Sequence, residues 1–175
     1  MNNYGFAVYL SDEDTNELLP IITRLQQEYS DSPPFDPHIS VHTAINTDLS
    51  TAIKIVERMR AGIREFSVEN IGFGYQNKWS KILFIKIKGS EILTKIHNEI
   101  SVGLSGFDPR PYTPHISLMY KNKLSTQKRE KIISNLELPT RFSVKGIEII
   151  GSETADSNWR NYSKWKVEYR KGFKQ

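Results

Sequence analysis

The tetrapeptide Pro-His-Ile-Ser stands twice in the chain, at Pro37 to Ser40 and at Pro114 to Ser117. Each copy puts a His two residues before a hydroxyl in a stretch of strand-like composition. Side chains two apart on a strand share a face, so each imidazole shares its face with a Ser. The copies are offset by 77 residues (His38 to His115), and Phe66-Ser67-Val68 recurs as Phe142-Ser143-Val144 at 76. A looser match joins the apolar runs Gly5 to Leu10 and Ile82 to Ile87, offset by 78 from Phe6 to Phe84. Matches at nearly one offset point to an internal duplication covering about residues 4–74 and 82–151. The 175 residues are then expected to form a single bilobal domain, 1–175, large enough to bury a core.

Both halves run in the same order: strand, helix, Pro-rich approach, His-bearing strand, helix, strand. Ser11-Asp12-Glu13-Asp14 introduces the first helix, with Leu18, Leu19, Ile22, Leu25 and Tyr29 as its apolar stripe and Pro20 near its start or at a kink. Ser50 is the expected N-cap of a helix turning Ile53, Val56, Met59 and Ile63 inward. In the second half Ser90 caps a helix bearing Leu93, Ile96, Ile100 and Leu104, and Ser125 caps one bearing Ile132, Ile133 and Leu136. Phe142 to Ile150 and Lys164 to Arg170 supply the last strands. Pro37 and Pro114 disfavour helix just before each His. The pattern predicts an α+β chain with a pseudo-twofold.

The net charge of +4 and pI near 9.2 suit a phosphate-bearing partner. No block of like charge stands out, which argues against an RNA-coating protein and permits a small anionic substrate or an RNA end. Absence of Cys removes disulfides, thiolate metal sites and thiol nucleophiles. No apolar run is long enough to span a membrane, and Met1-Asn2-Asn3-Tyr4-Gly5 lacks a secretory pattern, so a cytoplasmic location is expected.

An imidazole titrates near neutral pH and serves as base or acid. Attack of water on phosphorus with loss of an alkoxide needs one of each. Opposed lobes would set His38 and His115 on either side of a cleft, one taking the proton of water and the other giving one to the leaving oxygen. Ser40 and Ser117 are then placed to donate to the nonbridging phosphate oxygens. This chemistry calls for no cofactor and no metal.

Two His-x-Ser motifs about 80 residues apart, each on a strand after a proline, resemble those of the 2H phosphoesterase superfamily. The stretch from Pro111 to Tyr120 and the strand Trp165-Lys166-Val167-Glu168-Tyr169 look most like its cyclic phosphodiesterase branch. The resemblance implies a bilobal fold with two antiparallel sheets around a central cleft, helices outside, and one His-x-Ser pair from each lobe. It also implies metal-independent opening of nucleoside 2′,3′-cyclic phosphates or ADP-ribose 1″,2″-cyclic phosphate. By the same analogy Tyr120 helps hold the substrate, which requires a bend at the strand end. An aromatic of the first strand, Phe6 or Tyr9, lines the pocket. Ser replaces the Thr that many relatives carry, a small chemical change.

Other residues admit two readings. His42 extends the His38 face, but Met119 stands where the second motif would need its partner, so a metal pair is not expected. His97 reads as a surface or boundary residue. Trp79 lies in the junction between halves, either as a lid that stacks on a base or as a loop aromatic packed on the sheet. Arg110 and Tyr112 precede the second motif and are candidates to reach a phosphate, with a solvated side chain the equal alternative for Arg110. Two further functions compete: a phosphodiesterase on RNA ends, 2′-5′ linkages or cyclic oligonucleotide signals, and a non-catalytic nucleotide- or RNA-binding module. No obligate protein partner is implied.

Overall fold

The structure, a computed structural model, describes residues 2–30, 34–104, 111–121, 123–152 and 165–175. In chain order these form β1 (Asn2–Leu10), α1 (Asp12–Tyr29), β2 (His38–Thr47), α2 (Leu49–Arg60), β3 (Phe66–Gly74), a short 3-10 turn (Trp79–Lys81), β4 (Leu83–Ile87), α3 (Glu91–Leu104), β5 (His115–Met119), α4 (Thr126–Ile133), β6 (Arg141–Ser152) and β7 (Trp165–Gly172). The α+β class and the repeated order are as the sequence predicts.

Local chemistry sets the helix starts. Ser11 Oγ accepts the Asp14 N–H at 3.2 Å, and Asp12, Glu13 and Asp14 sit in the first turn, where the helix dipole favours negative charge. Pro20 lies inside α1 rather than at its start. It removes the donor for the Asn16 carbonyl, but Pro20 and Asn16 are both exposed, so water can satisfy that oxygen. Ser90 and Ser125 cap α3 and α4 by accepting the N–H of Leu93 and Lys128. The expected cap at Ser50 is corrected to Asp48: its carboxylate accepts the Thr51 N–H at 2.9 Å and both the Ser50 and Thr51 hydroxyls at 2.7 Å. A carboxylate two residues earlier out-competes a hydroxyl as acceptor. Those bonds hold the Asp48 carboxyl well below the ordinary carboxylate range.

All pairings between these strands are antiparallel. The order β1-β2-β5-β4-β3-β6-β7, with β6 returning to β1, gives one seven-stranded sheet that closes on itself, β7 extending it from β6. Exchanging β1 with β4, β2 with β5 and β3 with β6 leaves the order of the six-stranded ring unchanged. The helices obey the same exchange, since α1 packs on β5 and α3 on β2. The repeated peptides mark the pseudo-axis. Ile39 pairs with Ile116, and Ser67 pairs with Ser143, so each repeated motif lies antiparallel to its own copy. Each lobe takes its third strand from the other half of the chain, β6 joining β1 and β3 joining β4. The lobes are therefore interlocked rather than contiguous halves.

The core lies between the sheet and the helices. Ile39, Ile116, Phe6, Leu18, Ile22, Leu25, Ile96 and Ile100 are almost fully withdrawn from water. Burying each such side chain contributes about 1.5–3 kcal/mol, so the Ile39–Ile116 contact clamps the two His-bearing strands together.

Candidate active site

Along β2, buried Ile39 and Val41 alternate with His38, Ser40 and His42 on the opposite face. Since Ile39 pairs with Ile116, continuing the register sets His38 across from Ser117 and Ser40 across from His115. The two imidazoles thus occupy diagonal corners and the two hydroxyls the others. They line one cleft of about 330 Å³, together with His42, Lys81, Trp79, Tyr120, Phe6 and Trp165.

The two His are oriented alike. His38 Nδ1 lies 2.8 Å from the Asp36 carbonyl and His115 Nδ1 lies 2.9 Å from the Thr113 carbonyl. A carbonyl only accepts, so Nδ1 carries the proton in each case and Nε2 is left for chemistry. A proline stands between each carbonyl and its ring, and its fixed φ builds the return turn into the motif.

Their surroundings differ. Burial lowers the His115 pKa to about 4, and the positive charges of Lys81 and His38 push the same way, against the Thr113 carbonyl. His115 is therefore neutral at pH 7, with a lone pair on Nε2. Phe84 sets its ring edge-on to His115 at 5.2 Å, and it fits there because Gly74 lies beneath: a Cβ at that position would sit 2.5 Å from the ring. The hydroxyls differ as well. Ser40 is exposed, whereas Ser117 is 8% exposed and donates to the Ser80 carbonyl at 2.9 Å.

β5 ends at Met119, and Tyr120, the next residue, lines the cleft. Tyr120 N–H donates to Gln26 Oε1 at 3.1 Å, and Ser30 Oγ donates to the Tyr120 carbonyl at 2.7 Å, so α1 and its C-cap hold the Tyr120 backbone. The ring lies stacked between Phe35 (4.0 Å, 16°) and Trp79 (4.6 Å, 19°). Trp79 packs on Tyr120 and lines the cleft.

Phe6, though part of the core, borders the cleft. Tyr9 does not line it, although it pairs with His38 across the strands. Its ring lies under the Arg170 guanidinium at 4.6 Å, and Arg170 is tied to the buried Glu148 by bonds of 2.9 and 2.7 Å. Tyr112 also stays out of the cleft. Its hydroxyl donates to the Ser40 carbonyl at 3.1 Å, its ring stacks on His97 at 4.7 Å, and burial pushes its phenol well above the ordinary value. Arg110 lies outside the described residues.

Two residues have a place the sequence did not reveal. Lys81 reaches the cleft beside His115, with Nζ 3.2 Å from Thr113 Oγ1, and burial and Lys78 lower its pKa. The reading of His97 as a surface or boundary residue is corrected: it is 7% exposed, and its Nδ1 donates to the Val41 carbonyl at 2.6 Å. β2 and β5 pair at Ile39 and Ile116, so beyond that point side chains of the second half, Tyr112 and His97, hold the β2 carbonyls. Among the described residues no group of three His, Asp or Glu is placed to hold a metal ion. No described helix is long and apolar enough to cross a membrane.

Solved structures share this architecture. TT0787 of Thermus thermophilus superposes with a TM-score of 0.66 at 16% identity, covering 99% of this chain and 98% of that one. E. coli LigT complexed with phosphate gives 0.60 at 14% identity, again over 99% and 98% of the two chains. At such identities the likeness is one of fold, and the fold is that of the 2H phosphoesterases. The chain belongs to the 2′-5′ RNA ligase superfamily, whose family model matches residues 12–156. That superfamily acts on phosphodiesters of RNA and nucleotides, which makes the protein a phosphodiesterase in the broad sense. No curated protein matches the sequence.

Proposed function

We propose that the protein hydrolyses a cyclic phosphodiester in a small nucleotide, either ADP-ribose 1″,2″-cyclic phosphate or a nucleoside 2′,3′-cyclic phosphate, with His115 as base and His38 as acid. The observation that carries this reading is the pair of imidazoles at diagonal corners of one cleft, each with Nδ1 on its own i−2 carbonyl. Neutral His115 takes a proton from water through Nε2 as the water oxygen bonds to phosphorus. The ring P–O bond breaks, and the leaving oxygen takes the Nε2 proton of His38, which enters the cycle as imidazolium. The product is a phosphate monoester beside a free hydroxyl, and one proton has passed from His38 to His115. Ser40 and Ser117 donate to the nonbridging oxygens, Ser117 by turning away from the Ser80 carbonyl, and Lys81 offsets the charge on the phosphoryl group. Trp79 offers ring surface at the same cleft, backed by the Tyr120 ring stacked on it, and Phe6 borders the cleft.

A second reading keeps the site and takes an RNA end bearing a 2′,3′-cyclic phosphate or a 2′-5′ linkage, as the superfamily's name suggests. The two are separated by assaying ADP-ribose 1″,2″-cyclic phosphate, 2′,3′-cyclic mononucleotides and cyclic-ended RNA in the presence of EDTA. The expected result is turnover of a small cyclic phosphate at a rate EDTA does not change. Turnover of RNA alone would move the assignment to the second reading. Nucleotide binding without turnover of any substrate would identify a binding module.

A further inference from the structure

Beside the cleft lies a second cavity, of about 570 Å³, lined among others by Lys121, Lys123, Lys128, Asn77, Ser125 and Glu28. It adjoins the aromatic wall of the cleft. Lys121 follows Tyr120 in the chain and its N–H donates to the Trp79 carbonyl at 3.2 Å, while Asn77 stands two residues before Trp79. Three cations face one carboxylate here. Lys121 is tied to the Tyr29 carbonyl. Lys123 and Lys128 are exposed, and neither pairs with a carboxylate among the described residues. Ser125 is the N-cap of α4, so the N–H groups of Thr126 and Gln127 have no partner within that helix.

Arg129 supplies an independent observation. It is 3% exposed, its guanidinium lies over the Tyr75 ring at 4.9 Å, and one NH2 donates to Asn77 Oδ1 at 2.5 Å. Its Nε is buried without a hydrogen-bond partner, and no described carboxylate pairs with it. A buried cation without a counter-charge is costly. An anion beyond Asn77 would offset that charge. Asn77 is already arranged for one, because giving its oxygen to Arg129 directs its NH2 donors the other way.

We propose that this basic pocket binds a second phosphate of the substrate, one carried beyond the phosphodiester held between His38 and His115. The proposal rests on the catalytic reading above and narrows its substrate to molecules with at least two phosphates. That chemistry has two sources, the pyrophosphate of a dinucleotide and the next phosphodiester of an RNA strand.

The Lys123→Ala/Lys128→Ala double variant tests this, since both side chains are exposed and their removal leaves the core intact. For a nucleoside 2′,3′-cyclic monophosphate, kcat/KM should stay within about twofold of wild type. For a substrate that uses the pocket, KM should rise about tenfold or more with kcat little changed, and the salt dependence of kcat/KM should flatten. A loss confined to ADP-ribose 1″,2″-cyclic phosphate supports the proposal with pyrophosphate as the ligand, and a loss confined to cyclic-ended RNA supports it with the strand. Equal losses on mononucleotide and longer substrates, or no loss on any, overturn it. If wild type turns over nothing, affinities of wild type and variant for ADP-ribose and for a 3′-phosphate-ended oligoribonucleotide decide instead. An unchanged affinity for both overturns the pocket whatever becomes of the catalytic reading.

Discussion

Replacing His115 or His38 with alanine lowers kcat by about 10²–10⁴-fold, the range expected for removing a positioned proton-transfer group. KM should change far less, because Ser40, Ser117, Lys81 and the cleft aromatics remain in place. The two losses are distinguishable. A linear p-nitrophenyl phosphodiester expels a phenolate that needs no proton, so on that substrate His38→Ala should recover much of its deficit. His115→Ala should not, because water still has to be deprotonated. Equal behaviour of the two variants on both substrates would contradict the proposed division of roles. Retained thermal stability of each variant excludes unfolding as the cause.

Lys81→Met should have the next largest effect, about 10²–10³-fold in kcat, the magnitude typical of removing one preorganised electrostatic contact to a transition state. Lys81 also helps hold His115 in its neutral form, though less than burial does. Its removal must therefore raise the His115 pKa and move the acid limb of the rate profile to higher pH. A merely structural Lys81 would lower activity evenly across pH. Measuring kcat/KM between pH 4 and 8 for wild type and Lys81→Met separates the two cases.

The sequence disclosed the parts of this molecule that are written locally. The stripe Leu18, Ile22 and Leu25, the acidic start at Ser11 to Asp14, the caps at Ser90 and Ser125, and the alternation around His38 and His115 are all written in short stretches of sequence. The duplication showed itself because Ile39–Ile116 and Ser67–Ser143 are self-paired positions on the pseudo-axis, where the two halves meet the same surroundings. Strand exchange was invisible. Nothing in Phe66 to Gly74 says that its neighbours are β4 and β6, since pairing partners are a property of the whole sheet. Lys81 escaped for a related reason: it lies in the junction, outside both repeats, and only the turn at Trp79 swings it toward His115. The places of His97 and Tyr112 were not legible because their partners are backbone carbonyls of β2, which carry no sequence signal. The charge around Lys123, Lys128 and Arg129 is likewise assembled from separate segments, so no basic run announces it.

The pH dependence of kcat/KM toward a nucleoside 2′,3′-cyclic phosphate, measured in EDTA, tests the two-imidazole assignment most directly. A depressed pKa keeps His115 unprotonated at neutral pH, and protonation of the base is what ends activity on the acid side. The predicted profile is therefore a bell whose acid limb falls near pH 4, well below that of an ordinary imidazole, and whose alkaline limb belongs to the general acid. A profile without an acid limb, or one left unshifted in the residual activity of His115→Ala, would contradict the account.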